Sequence, residues 1–265
     1  MRMFARDEVT YEYDPSVIGY ILSDEANPLR RICEIIHSHS KVLDVGAGNG
    51  LLAVVMKMFN KEVIVDGIEP DLHAAKIARS HYRFFGTGSV QDYKEHIQKE
   101  DYDYIIMADV LEHFTDPQSF LDALVSWIPL KTKIVLSIPN IAFGAIRLDL
   151  LKGNFRYVDS GIIEKTHLRF FTLETLQKLV STIGLNIEKI CFLQRDFLTT
   201  DIRQSVTGVG WSTLYNLMRD ESASTYQFLV VLSQTSVITE QKYYGVKTKV
   251  RISEIVRSVF EKWLK

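Results

Sequence analysis

"KVLDVGAGNG", residues 41–50, places three glycines within five positions directly behind an apolar run. Val42, Leu43 and Val45 predict a buried strand, and Gly46, Gly48 and Gly50 predict a turn where backbone approaches a ligand as a helix begins. A dinucleotide fingerprint needs G-x-G-x-x-G, but the third glycine comes one residue early and Leu51 stands where that pattern requires glycine. This spacing disfavours NAD. A phosphate-cradling loop would end in Gly-Lys-Ser/Thr, which is absent, so ATP is disfavoured as well.

Around this stretch the chain has an ordinary globular composition. Its 265 residues, 46% hydrophobic and 24% charged, are enough for one substantial core and a small appendage. A net charge of -2 provides no overall positive field for nucleic acid or anionic lipid. Cys33 and Cys191 stand far apart and outside any C-x-x-C spacing, which argues against a disulfide framework or a zinc site and fits a reducing cytoplasm. The opening "MRMFARDEVTYEYD" has charges where a signal peptide needs an apolar stretch, and no run reaches membrane-spanning length. The expected location is therefore cytoplasmic.

Short β-branched runs alternate with amphipathic stretches, the pattern of a parallel sheet covered by helices. Helices are predicted over 26–39, 49–59, 71–80, 117–127 and 172–184, and strands over 41–45, 62–68, 82–87, 102–109, 133–139, 186–194 and 225–233. The expected organisation is an N-terminal helical cap at 1–39, an α/β domain at 40–234 with an insertion or lid at 195–224, and an amphipathic basic tail at 235–265. In the tail, Ile252, Ile255, Val256, Val259, Phe260, Trp263 and Leu264 recur at helical spacing opposite charged residues. Such a helix docks on its own domain or a twin subunit, or lies on an anionic membrane at its inner face.

An adenosine ligand without pyrophosphate remains, and Asp44, just before the glycines, repels phosphate yet suits a cationic amino group. S-adenosylmethionine has that character. Over residues 40–232 the chain resembles the class I S-adenosylmethionine-dependent methyltransferases, which implies a seven-stranded Rossmann-like sheet with helices on both faces. The resemblance assigns Gly46, Ala47, Gly48 and Asn49 to close approach of the cofactor and Asp44 to its methionine end. In "VDGIEPD" it assigns Glu69, followed by Pro70, to the ribose hydroxyls. In "GTGSVQD" it assigns the adenine to Ser89, Val90 or Asp92.

"DVLEHFTDP" brings Asp109, Glu112 and His113 to the rim where a strand ends. With "SIPN" and residues 145–172, ending in "THLRFFT", it resembles methyltransferases of bacterial glycan and lipopolysaccharide synthesis. That implies O-methylation of a carbohydrate or similar polyol, with Asn140, Arg147, Tyr157, Asp159, His167 and Arg169 as acceptor contacts. A hydroxyl needs a base or a metal, and His113 and His167 are the candidate bases, with Asn140 bordering the methyl group. Asp109, Glu112, His113 and His167 are also similar to the magnesium-holding E-x-x-E-H and distal histidine of small-RNA 2′-O-methyltransferases, a motif related to one in ubiquinone-pathway enzymes. The alternative is that Glu112 and His113 merely cap the next helix. RNA as acceptor lacks a basic footprint. "SIPN" with the "RLDLL" helix is also similar to methyltransferase-fold partners of an acyltransferase in methionine synthesis.

Overall fold

A computed structural model describes residues 15–59, 62–198, 200 and 208–245. One mixed sheet organises them: β1 (Lys41–Val45), β2 (Ile64–Glu69), β3 (Phe85–Thr87), β4 (Tyr104–Ala108), β5 (Lys133–Pro139), β6 (Asn186–Gln194), β7 (Thr225–Ser233) and β8 (Glu240–Gly245). Their order is β3-β2-β1-β4-β5-β7-β6-β8. The first five run parallel, β7 inserts antiparallel between β5 and β6, and β8 runs parallel to β6. Because β1 lies inside the parallel half, both its faces are covered, which accounts for its nearly continuous apolar run.

Alternation along β1 separates two cores. Leu43 and Val45 join Ile105, Met107 and Leu136 on one face, while Val42 joins Leu52, Val55, Tyr104 and Ile106 on the other. The helix Pro28–Ile35 buries Ile32 and Cys33 against the second core, so it is a covering layer of the sheet. It starts later than the expected 26 because Asn27 caps it, accepting from the Leu29 and Arg30 N–H groups, and Pro28 occupies the first turn. Side-chain caps also start Leu72–Ala78 at Asp71, Pro117–Val125 at Asp116 and Leu173–Thr182 at Thr172. Each such cap contributes about 1 kcal/mol.

Among the described residues the sheet has eight strands where seven are expected. The extra strand, β8, falls within the stretch assigned to the tail, and its "EQKYYG" is mostly exposed, so no alternating apolar signal marks it. Tertiary contacts hold it: Tyr243 stacks on Phe192 with ring centres 4.4 Å apart, and the Arg31 guanidinium lies 3.8 Å over the Tyr244 ring. The described part of the predicted insertion forms the helices Trp211–Arg219 and Glu221–Ser224. Leu214, Leu217 and Ala223 share a third core with Phe143, Ile146 and Leu148 of the 143–151 region. This segment is therefore a packed layer. The predicted amphipathic helix at 251–265 lies outside the described residues. Among those described, no helix is long and apolar enough to cross a membrane.

Candidate active site

The glycine turn and the tip of β2 form one hydrogen-bonded unit. The N–H groups of Gly46 and Ala47 both donate to the Ile68 carbonyl, at 2.8 and 3.1 Å. Gly48 N–H donates to Glu69 Oε2 at 2.7 Å, and Asp71 N–H donates to the other oxygen, Oε1, at 2.8 Å. The Glu69 carboxylate is thus held in one orientation between the turn and the following helix. Gly48 and Gly50 lie at positive φ, 53° and 85°. A Cβ on Gly48 would meet nothing within 4 Å, whereas one on Gly50 would lie 3.1 Å from the Ala78 Cα. One glycine leaves the turn open, and the other, one position before the place where G-x-G-x-x-G requires glycine, lets two helices meet. Asn49 Oδ1 accepts from Leu51 N–H at 3.3 Å, and Pro70 lies on the exposed rim.

Asp44 forms the floor of the cleft and is buried. Its Oδ2 accepts from the Tyr82 hydroxyl at 2.7 Å. In register, Asp44 sits beside Gly67 of β2 and Gly67 beside Phe85 of β3. A Cβ on Gly67 would come within 2.9 Å of the Tyr82 and Phe85 rings, so glycine there opens the passage by which Tyr82 reaches Asp44. Burial raises the Asp44 carboxyl to about 7 against the opposing Tyr82 bond, with the Glu69 charge adding to the rise. An open glycine face, an oriented carboxylate at the strand tip and a second acid in the floor fit a nucleoside with a cationic amino-acid end.

The expected adenine contacts are partly engaged elsewhere. Asp92 accepts from Ser89 N–H at 2.9 Å in a capping box, and the Val90 side chain is in the core. Ser89 and Asp92 therefore shape this wall by holding each other.

Across the cleft, the turn Leu111–His113 and residues 164–169 are tied together by backbone. Leu168 and Arg169 N–H groups both donate to the Glu112 carbonyl, at 2.8 and 3.0 Å. This brings Glu112, His113 and His167 into one cluster whose ligand atoms lie within 4.8 Å of one another. His113 Nδ1 is 3.1 Å from Thr166 O, and His167 Nδ1 is 2.9 Å from Ile162 O. A carbonyl only accepts, so both Nδ1 atoms carry the proton and Nε2 is the acceptor nitrogen of each neutral ring. His167 Nε2 faces Glu112 Oε1 at 3.8 Å. Both Glu112 oxygens are buried without a hydrogen-bond partner, and burial foremost, then the Asp109 charge, pushes that carboxyl well above its usual range. Two imidazole acceptor nitrogens and an unpartnered carboxylate fit a divalent cation, and the backbone carbonyls supply the orienting bonds that such histidines need.

Two expected residues do not join this cluster. Asp109, at φ 56°, turns its Oδ1 to the Ser137 hydroxyl at 3.0 Å and to the Gln227 amide, so these partners from β5 and β7 draw it away from the histidines. Asn140 is fully buried: its Nδ2 donates to Ser222 O at 2.9 Å and Thr225 O at 2.8 Å, and its Oδ1 accepts from Ala142 N–H at 3.0 Å. It pins the corner before β7, with both its amide nitrogen and its amide oxygen engaged by backbone. Among the other expected acceptor contacts, Arg147 pairs with Asp220, Asp159 with Lys165, and Arg169 donates to Thr115 O. Sequence reading missed Glu164, whose Oε2 stands 3.9 Å from His167 Nε2. Its place within "GIIEKTHLRFFT" was the available signal.

A family model described as "Methyltransferase domain" matches residues 22–190. Curated relatives include ubiquinone biosynthesis O-methyltransferases from Vibrio atlanticus (34% identical, covering 31% of this chain and 36% of the relative) and Histophilus somni (29% identical, 55% and 60%). A third, from Thiobacillus denitrificans, is 37% identical over 31% of this chain and 37% of its own length. The chain thus spans between about a third and three fifths of these relatives. They overturn the resemblance to glycan and lipopolysaccharide enzymes. The motifs that carried it, "DVLEHFTDP" and "THLRFFT", are the two halves of the Glu112 cluster joined by backbone, so they report the cluster and not the acceptor.

Among solved structures, a SAM-dependent methyltransferase from Archaeoglobus fulgidus has TM-score 0.55 at 16% identity, covering 78% of this chain and 92% of that one. Another from Aquifex aeolicus has TM-score 0.51 at 14% identity, covering 84% and 100%. At such identities the likeness establishes the fold. With the family match extending over more than half of its length, the chain belongs to the methyltransferase-domain family and folds as a class I S-adenosylmethionine-dependent methyltransferase.

Proposed function

We propose that this protein transfers the methyl group of S-adenosylmethionine to a hydroxyl oxygen of a small acceptor, and that the hydroxyl is carried on an aromatic ring. The observation that carries the O-transfer reading is the buried, unpartnered Glu112 carboxylate facing His167, across the cleft from the glycine turn. In the transfer the S–CH3 bond breaks as an O–CH3 bond forms, the electron pair leaving with sulfur and the proton leaving the acceptor oxygen. Asp44 and Glu69 hold the two ends of the cofactor, which fixes the direction of attack. A divalent cation, when bound, supplies Lewis acidity toward the acceptor hydroxyl. His113 and His167 supply imidazole nitrogens beside Glu112, to hold that cation or to take the proton.

An aromatic acceptor is supported by the surface beside the cluster. Phe155, Tyr157 and Leu168 are 40%, 53% and 51% exposed, and Phe155 meets both Tyr157 and Phe170 edge to face. Val158 N–H donates to Ile163 O, tying this apolar rim to the segment that carries His167. The polar side chains expected to grip a polyol mostly have internal partners instead. The role of the relatives, O-methylation in ubiquinone biosynthesis, agrees with an apolar acceptor.

The test is calorimetric titration with S-adenosylmethionine followed by transfer of a tritiated methyl to parallel panels of catechols, phenols and sugars, with and without EDTA. We expect transfer to the phenolic panel, lost with EDTA and restored by a divalent ion. Cofactor binding with no transfer to any acceptor would point to a partner or regulatory role instead. Transfer to sugars alone would replace the acceptor class.

A further inference from the structure

We propose that Glu164, and not Asp109, supplies the second carboxylate to a divalent cation held by Glu112, His113 and His167. The inference rests on the cation reading above and departs from the sequence pattern, in which the acid three positions before Glu112 would be the ligand.

Three observations favour Glu164. Its Oε2 is 3.9 Å from His167 Nε2, nearly the distance at which Glu112 Oε1 approaches the same nitrogen, 3.8 Å. Asp109 has no comparable contact, because its Oδ1 accepts from Ser137 and Gln227. The Thr166 hydroxyl donates to Glu164 Oε1 at 2.5 Å and lies 3.2 Å from His113 Nδ1, so one residue between the ligands orients both. The turn that carries Glu164 is closed by Glu164 N–H to Gly161 O at 3.2 Å and by His167 N–H to Glu164 O at 3.1 Å.

A cluster of acids alone would not make a site. Here Glu112 is 1% exposed and both of its oxygens lack a partner, so a buried acceptor is aimed at the same place. The Glu164 side chain is 30% exposed, which leaves it room to close on an ion from the solvent side. Two imidazole nitrogens with two carboxylates favour a first-row ion such as Mn2+ over Mg2+, which prefers oxygen ligands.

The experiment titrates the full chain with MnCl2, reading free Mn2+ by electron paramagnetic resonance, for the wild type, Glu164→Gln, Asp109→Asn and Glu112→Gln. Glu164→Gln is expected to weaken Mn2+ binding about tenfold or more, and Asp109→Asn to stay within about threefold. S-adenosylhomocysteine affinity, measured on the same samples, should be unchanged in Glu164→Gln, which establishes that this variant is folded. Strong loss in Asp109→Asn with wild-type affinity in Glu164→Gln overturns the proposal and restores the acid of the sequence pattern. A wild type that takes up no Mn2+, with or without the cofactor product, overturns the cation reading itself, and Glu164 with it.

Discussion

Glu112 and His167 face each other at 3.8 Å, oxygen to nitrogen, with no hydrogen bond to either carboxylate oxygen. His167 Nδ1 donates to Ile162 O, so its Nε2 presents a lone pair toward a carboxyl that, when ionised, also only accepts. Two acceptors pointed at each other in an interior destabilise the ligand-free protein unless a proton or a cation lies between them.

Replacing the acid by an apolar residue of similar size should therefore stabilise the ligand-free protein. Glu112→Met is expected to raise unfolding free energy by about 1–3 kcal/mol. It should also abolish any Tm increase caused by added Mn2+. Thermal melts with and without the ion read both effects, and a lower Tm in the ion-free variant would mean that Glu112 has a stabilising partner.

Asp44 is expected to make cofactor binding pH-dependent. Its folded-state carboxyl titrates near 7, above the ordinary unfolded value, so the native state holds an extra proton across the interval between them. The sign follows: this group's contribution to stability falls as pH rises from about 4 toward 7, while its affinity for a cationic amino group grows as the carboxyl ionises. Calorimetry with S-adenosylhomocysteine at pH 6, 7 and 8 should show tightening for the wild type. Asp44→Asn should bind weakly with no such trend, and should be more stable than wild type at pH 8.

Gly48→Ala separates folding from ligand approach. The added Cβ meets nothing within 4 Å, so the cost to folding is only that of the positive φ, about 1–2 kcal/mol. Because the methyl points into the cleft, cofactor affinity should drop at least tenfold while the protein stays folded. Unchanged affinity would mean that the cofactor does not pass over this glycine.

Asn140→Ala should behave in the opposite way. It leaves two carbonyls, Ser222 O and Thr225 O, without their shared buried donor. A loss of about 2–4 kcal/mol in denaturant unfolding is expected, with cofactor affinity unchanged in the folded fraction. A large fall in turnover at wild-type stability would return Asn140 to the acceptor site.

The strand, the glycine turn and the acid bonded to it were legible in the sequence because their signals are local. A strand that must be buried on both faces, a turn that needs positive φ and an acid at the next strand's tip are each written within a few residues. Gly46, Gly48, Gly50, Asp44 and Glu69 could be read in that way. The pairing of the Glu112 turn with His167 was also visible, but only as a resemblance, since more than fifty residues separate them.

What only the tertiary structure decided is which polar groups remain available once the strands are side by side. Asp109 and Asn140 look like site residues in the chain, yet Ser137, Gln227, Ser222 and Thr225 satisfy them from neighbouring strands and corners. Glu164 looks unremarkable in the chain, and comes to stand beside His167 where backbone bonds to the Glu112 carbonyl lay its segment against the cluster. The polar β8 is held by Phe192 and Arg31 from distant elements. Periodicity and backbone conformation act along the chain, whereas a hydrogen-bonding group takes the nearest partner in space, and that partner is set by the order of strands in the sheet.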